Sequence, residues 1–216
     1  MDKKFLLFDL DGTIVNSQTG VTRAVQYALA RRGIDVKDAD TLTPFIGPPL
    51  RDSYRRHYGF EGPALEAVIA DYREYYAKQG VFENTLYPGM DDLLKTQRGQ
   101  GKTLILATSK PTVYAEQILN HFGLLACFSF VAGATLNGGR DRKQQVIAYA
   151  LENQGITEKS RAVMIGDKEH DVLGAKALGL DSIGVLYGFG TRAELEAAGA
   201  THIAPTVPAL AALLLK

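Results

Sequence analysis

Phe5-Leu6-Leu7-Phe8-Asp9-Leu10-Asp11-Gly12-Thr13 is an apolar run that ends in two carboxylates one residue apart. An unpaired carboxylate is costly to bury, so such a pair needs a cation, hydrogen-bond donors or water. If residues 5–8 form a buried parallel strand, Asp9 stands at its carboxyl end, where open α/β sheets bind ligands. Gly12 then lets the chain turn sharply. Taken alone, the stretch fits equally a plain strand followed by an Asp-Gly turn, and the rest of the chain decides between the two.

From residue 103 onward short apolar runs alternate with helical patterns. Residues 103–107, 128–132, 162–165 and 182–186 read as strands, and 112–121, 143–153 and 171–178 carry apolar residues at helical spacing. Pro88 and Pro111 suit first helical turns, and Gly123 and Gly179 suit helix stops. This alternation predicts an α/β fold with a doubly wound parallel sheet. Residues 16–84 break the rhythm with helical patterns at 17–32, 51–58 and 63–78 and no convincing strand. The expected organisation is therefore a Rossmann-like core of residues 1–15 and 85–216, with residues 16–84 inserted as a helical cap.

The totals restrict the partners. The chain has 216 residues, 46% hydrophobic and 22% charged, with 24 basic against 24 acidic side chains. Zero formal net charge gives no bulk attraction to a nucleic acid polymer or an anionic membrane. One cysteine, Cys127, excludes an intramolecular disulfide and a cysteine-rich zinc site; its apolar neighbours predict a buried thiol and a cytoplasmic location. The apolar start is too short for a signal peptide, and the run at 209–215 falls far below the ~20 residues of a membrane span. It reads as a docked terminal helix.

Three more polar clusters come after predicted strands. Thr108-Ser109-Lys110 precedes a helix start, where hydroxyls and free amides make an anion site or a plain N-cap. Arg140-Asp141-Arg142-Lys143 puts cations at another helix start, against the helix dipole, which suits either solvent or an anionic partner. Gly166-Asp167-Lys168-Glu169-His170-Asp171 places one Asp at a strand end and a second four residues on. Glu169 and His170 are expected to face solvent. Carboxylates from two strand ends suit a hard cation such as Mg²⁺. Thr108, neighbouring amides and Lys143 supply an anion-binding half, and a spare carboxylate nucleophile suggests phosphoryl transfer through an aspartyl-phosphate.

Four motifs in this order resemble the haloacid dehalogenase-like hydrolases, in the helical-cap branch that includes phosphoglycolate phosphatases and 5′-nucleotidase-like members: Asp9-Leu10-Asp11-Gly12-Thr13, Thr108, Lys143, and Gly166-Asp167-x-x-x-Asp171. The segment Gly184-Val185-Leu186-Tyr187-Gly188-Phe189-Gly190 is also similar to this branch. The resemblance implies that Asp9 is the nucleophile and a Mg²⁺ ligand. It makes Asp11 the general acid and base, with its backbone carbonyl on the metal. Thr108 and the Ser109 amide would hold phosphoryl oxygens, Lys143 would neutralise charge, Asp167 would ligate the metal, and Gly12 and Asp171 would support. In the expected cap, Gly47 and Arg51 of Phe45-Ile46-Gly47-Pro48-Pro49-Leu50-Arg51 are candidate substrate contacts; a turn with a surface arginine fits as well.

The expected activity is Mg²⁺-dependent hydrolysis of a small phosphate monoester, 2-phosphoglycolate or a nucleoside 5′-monophosphate, by a monomer or homodimer. A sugar phosphomutase of the β-phosphoglucomutase type is the alternative, then a non-catalytic phospholigand-binding module.

Overall fold

The computed structural model describes residues 3–215. Strand β1, Phe5–Phe8, leads through a tight loop into the two-residue strand β2, Val15–Asn16. Helix α1 (Gln18–Ala30), a 3₁₀ segment (Ala39–Phe45), α2 (Leu50–Tyr58) and α3 (Gly62–Lys78) come next, before β3, Thr85–Leu86, which pairs with β2. The remainder runs α4 (Met90–Gly99), β4 (Thr103–Pro111), α5 (Thr112–His121), β5 (Phe130–Ala134), α6 (Lys143–Asn153), β6 (Ala162–Gly166) and α7 (Glu169–Ala177). It closes with β7 (Asp181–Val185), α8 (Arg192–Ala198), β8 (His202–Ala204) and α9 (Val207–Leu214).

The chain divides into two compact units, residues 1–16 with 86–216 and residues 17–85. In the first, six strands form one sheet in the order β5-β4-β1-β6-β7-β8 with parallel pairing throughout. Leu6, Leu7, Phe8, Ile105, Leu106, Val163, Met164 and Ile165 are buried. Unbroken apolar runs are what a parallel strand covered on both faces requires. Alternate strand residues Leu7, Ile105 and Met164 pack with Val146, Ile147 and Ala150 of α6 and Ala175 of α7. Side-chain alternation therefore sends Leu6, Phe8 and Leu106 to the opposite face, where the Phe8 ring meets Phe128 edge-on at 6.4 Å. In register, Phe8 stands opposite Leu106 on one side and Ile165 on the other. Phe8, Leu106 and Ile165 are level, and the polar residues that follow them along β1, β4 and β6 are brought to one place.

The second unit is helical. Its α1 and α3 pack along each other, and Phe45, Tyr54, Tyr58 and Phe60 form linked ring contacts of 5.0–6.4 Å. Tyr54, Tyr72 and Tyr76 are buried there. Arg51 forks onto both carboxylate oxygens of Glu66 on α3, and Gly47 takes a φ of 102° that disfavours any other residue.

Two proline expectations need correction. Pro111 ends β4 and caps α5 from outside, and Pro88 lies before Gly89, whose left-handed φ of 80° caps α4. Each proline precedes its helix instead of filling the first turn, because Pro fits the extended approach as well as the first helical position. Cys127 is buried, Glu169 and His170 are exposed, and α9 forms where the terminal helix was expected. Among the described residues no helix is long and apolar enough to cross a membrane.

Candidate active site

Asp9 extends the β1–β6 ladder by one step, its amide donating to the Ile165 carbonyl at 2.9 Å. That bond fixes the backbone and sends the carboxylate out of the sheet end, where it is 4% exposed. The Lys143 ammonium, at the first residue of α6, sits 2.8 Å from Asp9 Oδ1 and 2.8 Å from Asp171 Oδ1 and donates to the Ala107 carbonyl at 3.1 Å. The ammonium thus faces three oxygens, two of them from carboxylates. Burial pulls the Lys143 pKa down, but the Asp171 and Asp9 charges outweigh it and hold the amine protonated beyond its ordinary range.

Asp167 comes directly after β6 and is fully buried. Its Oδ2 accepts from the Phe189 amide at 2.7 Å, while Oδ1 has no hydrogen-bond partner. Burial first, then the Asp171 and Asp9 charges, push its carboxyl well above the usual range. Asp171, in the first turn of α7, accepts from the Lys168 amide at 3.1 Å through Oδ2. Its pKa is pushed up to about 6 by burial and by Asp9, against the pull of Lys143. Gly166 is required here because a Cβ would overlap the Asp171 carboxylate.

Asp9, Asp167 and Asp171 each offer a carboxylate oxygen within 4.8 Å of the others. Three buried carboxylates against one buried ammonium leave a charge deficit, and Asp167 Oδ1 lacks any donor. Oxygen-only ligands, an excess of negative charge and an orphaned oxygen fit a hard divalent cation.

The loop after Asp9 is pinned by Ile14 and Val15 amides donating to the Leu10 carbonyl at 2.9 and 3.0 Å. Gly12 turns it with a φ of 77°, and a Cβ there would run into the Asp167 carboxylate. Asp11 pairs through Oδ2 with the Lys110 ammonium at 3.1 Å, and its Oδ1 has no hydrogen-bond partner. Thr108 is buried within β4, three residues before its end, its Oγ1 accepting from the Lys110 amide at 3.2 Å, and Ser109 beside it is half-buried.

The structure thus brings Asp9, Lys143, Asp167 and Asp171 into direct ionic contact or close approach, with Asp11 and Gly12 on the loop after β1 and Thr108 within β4. Gly47 and Arg51 belong to the other unit. Sequence reasoning passed over Lys110 as an Asp11 partner. Strand alternation carries the signal, since Lys110 has the parity of Thr108 on β4, and both are buried where Ser109 is not. It also passed over the Phe189 amide, a backbone group with no side-chain signature. Tyr87 and Tyr187, whose rings meet at 4.9 Å, were missed too. Burial raises both phenols, and Asp167 raises them further.

A strand-end carboxylate, a buried lysine and a carboxylate cluster at the end of a parallel sheet are the features of a hydrolase site. The haloacid dehalogenase-like hydrolase family matches residues 6–185, and the chain belongs to that family. Within it the chain is a phosphatase. It is similar to a 5′-nucleotidase of Pseudomonas aeruginosa, 42% identical over 97% of this chain and 94% of that protein. It is 39% identical over 87% of its length to the tyrosine-protein kinase PtkA of Mycobacterium tuberculosis, of which the match covers 63%. More distant relatives bear the name phosphoglycolate phosphatase. The crystal structure of a predicted phosphatase from Clostridium acetobutylicum superposes with a TM-score of 0.95 at 43% identity, covering 99% of this chain and 98% of that one.

Proposed function

We propose that the protein hydrolyses small phosphate monoesters, nucleoside 5′-monophosphates foremost, through an aspartyl-phosphate on Asp9 with Mg²⁺ as cofactor. The carrying observation is the buried Asp9 carboxylate, 2.8 Å from a lysine held protonated and beside the orphaned Asp167 oxygen. The nucleoside preference is supported by the likeness to the Pseudomonas aeruginosa 5′-nucleotidase. The Asp9 and Asp167 carboxylates and the Asp11 backbone carbonyl would hold the ion, with Asp171 in support. When bound, Mg²⁺ supplies positive charge that reduces repulsion between an anionic nucleophile and an anionic phosphate.

An Asp9 oxygen attacks phosphorus, the ester P–O bond breaks, and protonated Asp11 gives its proton to the leaving oxygen. Asp11, now a carboxylate, takes a proton from the water that attacks the aspartyl-phosphate. The acyl-phosphate P–O bond then breaks, releasing inorganic phosphate and restoring Asp9. Thr108 Oγ1 and the Ser109 amide hold phosphoryl oxygens, and Lys143 offsets charge on nucleophile and phosphate. The helical unit would serve as a cap that excludes water and reads the leaving group, with Gly47 before α2 and Arg51 in its first turn as the candidate substrate contacts. This enzyme works in the cytoplasm as a monomer or homodimer, with no nucleic acid polymer or membrane as partner.

The test is phosphate release from a panel of nucleoside 5′-monophosphates, 2-phosphoglycolate, sugar phosphates and phosphotyrosine, with Mg²⁺, with chelator, and with Asp9→Asn. Turnover fastest on nucleotides and lost in both controls is the expected result. Turnover that survives Asp9→Asn overturns the mechanism, and sugar-phosphate isomerisation with little phosphate released overturns the hydrolase.

A further inference from the structure

We propose that residues 186–191, between β7 and α8, form a positioning clamp that fixes Asp167 with Oδ1 free for the cation, so that Gly188 and Lys168 set the affinity for Mg²⁺. This rests on the metal role proposed for Asp167.

The backbone of Phe189 is held through both of its peptide groups. Its N–H donates to Asp167 Oδ2 at 2.7 Å, and its carbonyl accepts from the Lys168 ammonium at 3.0 Å. A backbone hydrogen bond to one carboxylate oxygen fixes the carboxylate's orientation and leaves the other oxygen with all its lone pairs for a metal. Asp167 Oδ1 is that other oxygen, buried and without a partner. The flanking glycines let the peptide come this close. A Cβ on Gly188 would overlap the Gly12 carbonyl oxygen and stand 2.6 Å from Asp167 Oδ2, and one on Gly190 would overlap the Asp167 carbonyl oxygen. Neither glycine adopts a positive φ, so what excludes a side chain is the neighbouring atoms and not backbone strain.

Gly12 presses the same carboxylate from the β1 loop, where its own Cβ would collide with Asp167. Asp167 is therefore seated between the loop that carries Asp9 and Asp11 and the loop after β7. Groups that orient a metal ligand in this way commonly govern affinity by about 10- to 100-fold.

Two variants of the full-length chain test this by calorimetric titration with Mg²⁺ alone, backed by the melting shift that Mg²⁺ produces. Gly188→Ala pushes the clamp off Asp167 and is expected to weaken Mg²⁺ binding about tenfold or more. Lys168→Met releases the Phe189 carbonyl without adding bulk and serves if Gly188→Ala does not fold. Its sign discriminates. Removing a cation near the site strengthens Mg²⁺ binding if only charge matters, whereas a loosened clamp weakens it, here by about threefold or more. Mg²⁺ binding by Lys168→Met as tight as wild type or tighter overturns the clamp while leaving the phosphatase reading intact. Failure of wild-type protein to bind Mg²⁺ or to release phosphate overturns the reading on which it rests.

Discussion

Replacing Lys143 by Met keeps most of the side-chain volume and removes the charge that two buried carboxylates share. At 2.8 Å and an effective dielectric near 20, each contact, with Asp9 and with Asp171, is worth about 6 kcal/mol before desolvation is subtracted. Removing one partner of a buried ionic group typically costs about 3–5 kcal/mol net, because the stranded charges remain buried. For a chain of this length that lowers the melting temperature by about 6–20 °C. The assay is thermal denaturation by circular dichroism in chelator at pH 7.5, so that no cation replaces the lysine. Adding Asp171→Asn to Lys143→Met should restore part of the loss, since one stranded carboxylate becomes neutral. A single variant melting within about 2 °C of wild type, or a double variant no better than the single, refutes the view that Lys143 balances this cluster.

In chelator, wild-type protein should gain stability as pH falls from 7 towards 5. Asp171, at about 6, and Asp167, also raised, lie above their unfolded values, so their contribution is full below the unfolded range and is lost as pH rises through the folded values. Saturating Mg²⁺ should flatten that dependence, and melting temperatures across the range check both. Gly12→Ala combines a left-handed φ with a collision on Asp167 and should lower stability by about 1–3 kcal/mol and abolish most turnover, as denaturant melts and phosphate release will read. Lys110→Met strands the buried Asp11 carboxylate and should both lower the melting temperature and reduce kcat about tenfold or more, since a misplaced acid and base forfeits part of a roughly 10²–10⁴-fold effect; thermal melts and steady-state kinetics read the two.

The core of this fold was legible because parallel strands covered on both faces must be apolar runs, and β1, β6 and the 104–107 stretch of β4 are. Edge elements were harder to read. Residues 128–132 were expected as a strand and the strand lies at Phe130–Ala134, because Phe128 supplies its ring to the face of β1 from a turn. The ionic centre was legible through residue type: an Asp closing an apolar run has few purely structural excuses. Lys143 was less visible alone, since a lysine at a helix start reads as solvated until the fold brings Asp9 and Asp171 to it. The Phe189 amide could not be read at all. Hydrogen bonding by a backbone group depends on where the chain passes, and here that path is set by contacts of Gly188 and Gly190 with residues far away in sequence.

A covalent phosphate on Asp9 is the decisive observable. Asp11→Asn removes the proposed acid and base but leaves the proposed nucleophile, and p-nitrophenyl phosphate has a leaving group that departs without protonation. Mixing the two with Mg²⁺, quenching in acid and mapping the protein by mass spectrometry should give a burst of nitrophenol and one phosphoryl group on the peptide carrying Asp9. Nitrophenol released with no phosphoprotein formed, or with the phosphate on any other residue, would contradict the aspartyl-phosphate mechanism.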